Sequence, residues 1–211
     1  VDVPTLDDLP VERGQRVLVR VDFNVPLRDG KIEDDLRIVS ALPTITALLE
    51  RELTVVCASH LGRPKGKVDP ASSMAPVAEH LGALLGRPVP LAPRIYGSAV
   101  EETIAGAGEC GLVMLENLRF DAGEEANSPG FSTNLTQGYD AYVNDAFGAS
   151  HRAHASIVGP PRVLPSAAGF LLAREVEVLG RLIDDPERPF IAVLGGAKVS
   201  DKLGVIDALL D

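Results

Sequence analysis

Side chains able to hold an anion gather in four short stretches: "VDFNVP" from Val21, "SHLGRPKG" from Ser59, "ENLRF" from Glu116 and "NDAFGASHRAH" from Asn144. Arginine offers a planar fork of donors that grips phosphate or carboxylate oxygens in pairs, which lysine cannot do. Arg63, Arg119 and Arg152 together therefore suit a small, highly charged anion. Asp22 would repel such a ligand unless it accepts from a hydroxyl, so the anion should carry one; Asn24 can serve either role. His60 fits a packing role in a strand–loop turn as well as a ligand contact. His151 and His154 stand three apart, but a metal reading of the pair lacks a third ligand. A hydrogen-bonding His151 and a structural His154 are expected, and no metal ligand is assigned.

A fifth stretch, "LGGAKVSDKLG" from Leu194, places two glycines and two lysines at the exit of an apolar run. Free N–H groups at such a strand-to-helix turn can receive an anion. The spacing is neither that of a Walker A loop nor that of a dinucleotide fingerprint. Lys198 and Lys202 stand four apart and share a helix face. Taken alone, the stretch reads equally well as a tight turn with two surface lysines.

The elements that must position these groups follow from the apolar pattern. Runs at 16–22, 53–59, 112–117, 141–147 and 190–196 are continuous and rich in β-branched residues, as strands buried on both faces should be. A short extra strand is expected at 89–92. Helical spacing links Ile38, Leu42, Ile45 and Leu49 behind an Asp34 N-cap, with Pro43 a local kink. It recurs at Val77, Leu81 and Leu84, and at Leu172, Val176, Leu179 and Ile183 before Pro186. A last helix is expected from Val199, with Leu203, Ile206 and Leu210 inward. The segment 121–134 reads as a loop from its Gly, Pro, Asn and Ser content, its acids solvated.

Alternating strands and helices mean an α/β fold: a Rossmann-like parallel sheet with helices on both faces, a three-layer sandwich. Ligands bind such sheets outside the carboxyl ends of the strands. A lone arginine at a strand end is more often a surface ion pair; four strand ends that agree argue for a site. One strand and one helix after the long helix are too little to bury their own faces, so a second α/β domain is expected to begin there and stop.

Net charge sets the background. With 30 acids against 20 bases the 211-residue chain carries −10, which argues against a nucleic-acid partner and makes a local arginine cluster more informative. No apolar run is long enough to cross a bilayer, and the acidic amino terminus lacks a signal pattern, so no membrane partner and a cytoplasmic location are expected. Cys57 and Cys110 read as buried small hydrophobes.

Taken together, "RVDFNVPL", "SHLGRPKG", "LENLRF", "VNDAFGASHRAHAS" and "LGGAKVSDK" resemble the phosphoglycerate kinase family, in order and spacing, from about residue 5 onward. The resemblance implies a 3-phosphoglycerate-binding N-terminal domain over 1–167, an interdomain hinge helix over 168–186, and over 187–211 the first strand and helix of a truncated nucleotide-binding domain. It implies Asp22, Asn24, Arg37, His60, Arg63, Arg119 and Arg152 as the substrate site. Arg37 of "DDLRI" and Lys198 would be catalytic, and Lys198 and Lys202 would meet the nucleotide phosphates. Arg37 is reached only by resemblance, since it lies past the strand at a helix start. Mg2+ would arrive with ATP or ADP, bound mainly by the part of the C-terminal domain beyond this chain, and the full-length protein would be a monomer.

The departures are a Ser150 where the family commonly has alanine, a less acidic "LAPRIYG" over 91–97, and an end before the later glycine-rich loops of the nucleotide domain. The implied reaction is reversible phosphoryl transfer between ATP and 3-phospho-D-glycerate, giving 1,3-bisphosphoglycerate in glycolysis, with little activity from this chain alone. The alternative is a free-standing phosphometabolite-binding module without catalysis.

Overall fold

The computed structural model describes residues 3–184, 187–191 and 193. Residues 3–173 form one compact unit, and residues 1–2 with 174–211 form another. Lys198, Lys202, the last helix and most of the strand expected at 190–196 lie outside the described residues.

In chain order the elements are β1 (Arg16–Val21), β2 (Leu27–Arg28), β3 (Lys31–Ile32), α1 (Leu36–Glu50), β4 (Thr54–Ala58), α2 (Ala75–Leu85) and α3 (Ser98–Gly106). There follow β5 (Leu112–Met114), α4 (Ala122–Glu125), α5 (Pro129–Thr136), β6 (Ala141–Asp145), α6 (Ala155–Val158), β7 (Ser166–Ala168) and α7 (Phe170–Asp184). The main sheet is parallel with order β5-β4-β1-β6-β7, and β2 and β3 form a small antiparallel hairpin.

Alternation along each strand divides the core into two layers. Val17, Val19 and Val21 of β1 pack with Ile38, Ile45 and Leu48 of α1 and with Val77 and Leu81 of α2. Leu18, Val56 and Tyr142 face the other way, against Val100 and Ile104 of α3 and Phe131 and Leu135 of α5. Burying each such large side chain contributes about 1.5–3 kcal/mol, which explains why the strands are apolar between their polar ends. The exception is Arg20, which sits inside β1 and is 1% exposed.

The chain lays down β4 and β5 on one side of β1 and β6 and β7 on the other. Strand order therefore reverses beside β1, and a crevice opens at the carboxyl ends there.

Several expectations need correction. The segment 121–134 is not a loop. Asp121 accepts from the Gly123 amide and starts α4, while Ser128, followed by Pro129 at the first helical position, starts α5. Short polar residues capped these helices rather than breaking them, and Phe131 and Leu135 anchor α5 in the core. The acids of that segment are not all solvated, because Glu124 is fully buried.

Leu84 points outward, 39% exposed, and Leu85 packs on the core in its place. Residues 89–92 make only a single parallel bridge, Leu91 to Met114. The N-cap of α1 is Asp35, although the Asp34 carboxylate still accepts from the Leu36 amide at 2.9 Å. Cys57 is buried, but Cys110 is only half-buried. Strand β7 escaped notice because Ser-Ala-Ala carries no β-branched residue.

Candidate functional site

At the carboxyl ends of the strands lies a cavity of about 200 Å³, lined by Asp22, Asn24, Arg37, His60, Gly62, Arg63, Arg119, Gly148, Ala149, His151, Arg152 and His154. All seven residues expected at a substrate site are among them. They arrive from the ends of β1, β4, β5 and β6 and from the first turn of α1, gathered by the parallel topology. The nucleotide-side pair, Lys198 and Lys202, is not placed.

Four arginines face one carboxylate in this cavity, so an acidic chain presents a concave surface of positive charge. Arg37 pairs with Asp22 Oδ2. Among the described residues the buried Asp22 Oδ1 has no partner, an acceptor that a ligand hydroxyl could satisfy after a small turn of the carboxylate. Gly148 makes room for that group: a Cβ there would stand 2.7 Å from Asp22 Oδ2. Among the described residues neither Arg63 nor Arg152 has a carboxylate partner; Arg152 Nε donates to His151 Nε2 at 3.1 Å.

The loops are bolted together from below. Asn117 is fully buried. Its Oδ1 accepts from the amides of Leu61 and Arg119 at 3.2 and 3.0 Å, and its Nδ2 donates to the carbonyls of Leu61 and Ser72 at 2.7 and 2.8 Å. All four hydrogen-bonding capacities of the carboxamide are thus used. Asn24 Oδ1 accepts from the Gly62 amide at 2.9 Å, and Arg119 Nη1 donates to the Gly62 carbonyl at 2.8 Å. The Arg119 Nε lies 3.4 Å from Glu125 Oε1, close enough for charge attraction but too poorly aligned for a hydrogen bond.

His60 is a wall of the cavity rather than mere packing. Burial, then the guanidiniums of Arg20 and Arg119, push its pKa down to about 2, so the ring stays neutral. His154 is also held below its ordinary value, chiefly by burial. Among the described residues no group of three or more His, Cys, Asp or Glu is placed to hold a metal, and the arginine-rich lining of the cavity would repel one. What the arrangement can do is bind a small polyanion with a hydroxyl and neutralise its charge.

Position at a strand end does not mark the roles of Arg20, Glu124, Ser156, Asn117 or Gly148. One signal was visible: an arginine inside an otherwise apolar strand cannot stay buried without a partner. Its partners, 40 to 136 residues away in the chain, were not.

A family model described as phosphoglycerate kinase matches residues 6–211. The chain is 50% identical to the phosphoglycerate kinase of Thermosipho africanus over 207 residues, 98% of this chain and 51% of the relative. It is 55% identical to that of Thermomicrobium roseum over 206 residues, covering 98% and 52%. Among solved structures, the phosphoglycerate kinase from Coxiella burnetii superposes with a TM-score of 0.86 at 37% identity, covering 99% of this chain and 52% of that one. The enzyme from Pyrococcus horikoshii OT3 gives 0.87 at 36%, covering 98% and 52%. The chain spans about half the length of the curated relatives it matches.

Proposed function

The chain belongs to the phosphoglycerate kinase family, and on that premise we propose that it carries the acid-substrate half of a cytoplasmic, monomeric phosphoglycerate kinase. The reaction is reversible phosphoryl transfer between ATP and the carboxylate of 3-phospho-D-glycerate, giving 1,3-bisphosphoglycerate. In this reading residues 1–167 bind the acid substrate, 168–186 form the hinge helix and 187–211 begin the nucleotide domain. The single observation that carries the reading is the cavity itself, in which four arginines surround one carboxylate with an uncommitted oxygen. A phosphate, a carboxylate and one hydroxyl are the groups such a cavity complements.

The mechanism follows from the substrate's chemistry. Its carboxylate is ionised at neutral pH, so the attacking oxygen needs no general base. Catalysis is then positioning and charge neutralisation on the transferring group. Arg63, Arg119 and Arg152 hold the anion, and Asp22 and Asn24 orient its hydroxyl portion. Arg37 meets the transferring phosphoryl from this side, and Lys198 from the nucleotide side with Lys202 on the nucleotide phosphates. Mg2+ enters as part of the nucleotide substrate, where it neutralises phosphate charge. The acyl phosphate product hydrolyses readily, so transfer requires that water be excluded.

Calorimetric titration tests the reading. 3-Phospho-D-glycerate should bind this chain with an affinity that falls as salt rises, and glycerol 3-phosphate, which lacks the carboxylate, should bind more weakly. Equal affinity for the two, or no binding, would overturn the assignment. A coupled assay on the 211-residue chain should show little turnover; full turnover would refute the need for the nucleotide domain.

A further inference from the structure

A carboxylate that the transfer chemistry does not use lies behind the cavity. Glu124 is fully buried on α4. Its Oε1 accepts from the Ser156 hydroxyl at 2.6 Å, and its Oε2 from the Ser156 amide at 2.8 Å. The hydroxyl proton is thereby committed to Glu124, and the Ser156 oxygen is left to accept from Arg20 Nε at 2.9 Å. On the same guanidinium, Nη1 donates to the Val21 carbonyl and Nη2 stands 3.1 Å from His60 Nδ1. Four side chains thus run in sequence from a carboxylate to the cavity wall, and Ser156, Arg20 and Glu124 are all out of contact with water.

Direction is fixed along this path. A guanidinium only donates, so His60 Nδ1 must be the bare acceptor and the ring proton must sit on Nε2. Among the described residues nothing bonds Nε2, and His60 lines the cavity. The ring is neutral there, so the choice of nitrogen is its one remaining degree of freedom. We propose that Glu124 and Ser156 are positioning residues that act through Arg20 to lock His60 in the Nε2–H tautomer, presenting a fixed, uncharged donor to the oxygens of the bound anion. Glu124 also supplies the countercharge for a buried guanidinium that touches no carboxylate directly among the described residues, and its Oε1 lies 4.0 Å from His154 Nδ1, a second cavity residue. The inference rests on the cavity being the 3-phosphoglycerate site.

Nitrogen-15 NMR of the histidine side chains, with the His60 signals assigned by substitution, tests the lock without any ligand. The unaltered chain should show a single Nε2–H form across about pH 5 to 8. In Glu124→Gln the new amide cannot accept at both positions; its NH2 confronts either the Ser156 N–H or the Ser156 oxygen, whose proton then loses its fixed acceptor and turns away. A second population protonated at Nδ1 should appear, and the Kd for 3-phospho-D-glycerate should rise about tenfold. Ser156→Ala should give the same two changes with Glu124 in place, and it decides the matter should Glu124→Gln fail to fold. In a His60→Gln background, Glu124→Gln should add little to the loss of affinity, which a merely structural role would not predict. An unchanged, single Nε2–H signal in either folded variant would overturn the proposal. Failure of the unaltered chain to bind 3-phospho-D-glycerate would overturn the function reading instead, while the tautomer signals would still decide this one.

Discussion

Two arginines stand four residues apart on β1 in opposite circumstances. Arg16, at the amino end, is about a third exposed and pairs with Glu101 at 2.6 Å, and its amide donates to Asp140. Arg20, at the carboxyl end, is 1% exposed and touches no carboxylate among the described residues. The first pair is solvated and worth at most about 1 kcal/mol. The second charge is out of water and survives on one hydrogen bond from each guanidinium nitrogen, with its countercharge one hydroxyl away. One end of the sheet cancels its charges locally. The other keeps a surplus of cations in place for an anion that the chain itself does not supply.

The sharpest way to break this contrast is at Arg37. In the whole enzyme Arg37→Ala should lower kcat by about a thousandfold or more, because the group neutralises charge on the transferring phosphoryl. The circular dichroism of the variant should be unchanged. Near-normal kcat would remove Arg37 from the chemistry.

The contrast on β1 itself comes next. Arg20→Met should destabilise the chain by about 3 kcal/mol, since it strands Glu124 in the core without a countercharge. Arg16→Met should cost under about 1 kcal/mol. Urea unfolding of both variants makes the comparison, and equal losses would refute it.

A smaller effect is expected at Gly148, where an added methyl meets the Asp22 carboxylate. Gly148→Ala should weaken 3-phospho-D-glycerate binding by about 2 kcal/mol, the scale of an overpacked contact, with a smaller change in folding stability. Unaltered binding in calorimetry would show that Asp22 need not keep its place.

The gentlest test is pH. The folded His60 value is about 2 against an ordinary 6.5, so between these values the unfolded chain binds more protons. Stability is therefore complete above pH 6.5 and declines as pH falls below it, by about 1 kcal/mol per pH unit from this group, with His154 adding in the same direction. Urea midpoints at pH 7 and pH 5 should diverge less in His60→Asn. An equal divergence would mean that His60 is not held neutral in the fold.

What could be read in the sequence was whatever depended on pattern. Continuous apolar runs announced β1, β4, β5 and β6, and parallel topology then forced Asp22, His60, Arg63, Arg119 and Arg152 to one edge. The resemblance supplied Arg37, which no strand end marks. Features that depended on pairing were hidden. Glu124 looks like any surface acid in "DAGEEANSPG"; only the arrival of Ser156, 32 residues later, makes it a buried partner. Ser128 and Pro129 signal a loop by composition and a helix start by chemistry, and Phe131 decided between them by finding a core. β7 lacked the side chains that advertise a strand and is held by its place beside β6.

Asn117 has a consequence of another kind. Because one carboxamide saturates contacts to Leu61, Ser72 and Arg119, the loops after β4 and β5 share a single keystone. Aspartate lacks its donors and glutamine overshoots by a methylene, so no common substitution reproduces the set. Neither loop can be lengthened or swapped without re-cutting the other. An engineer seeking a new substrate for this cavity would have to treat the two segments as one module.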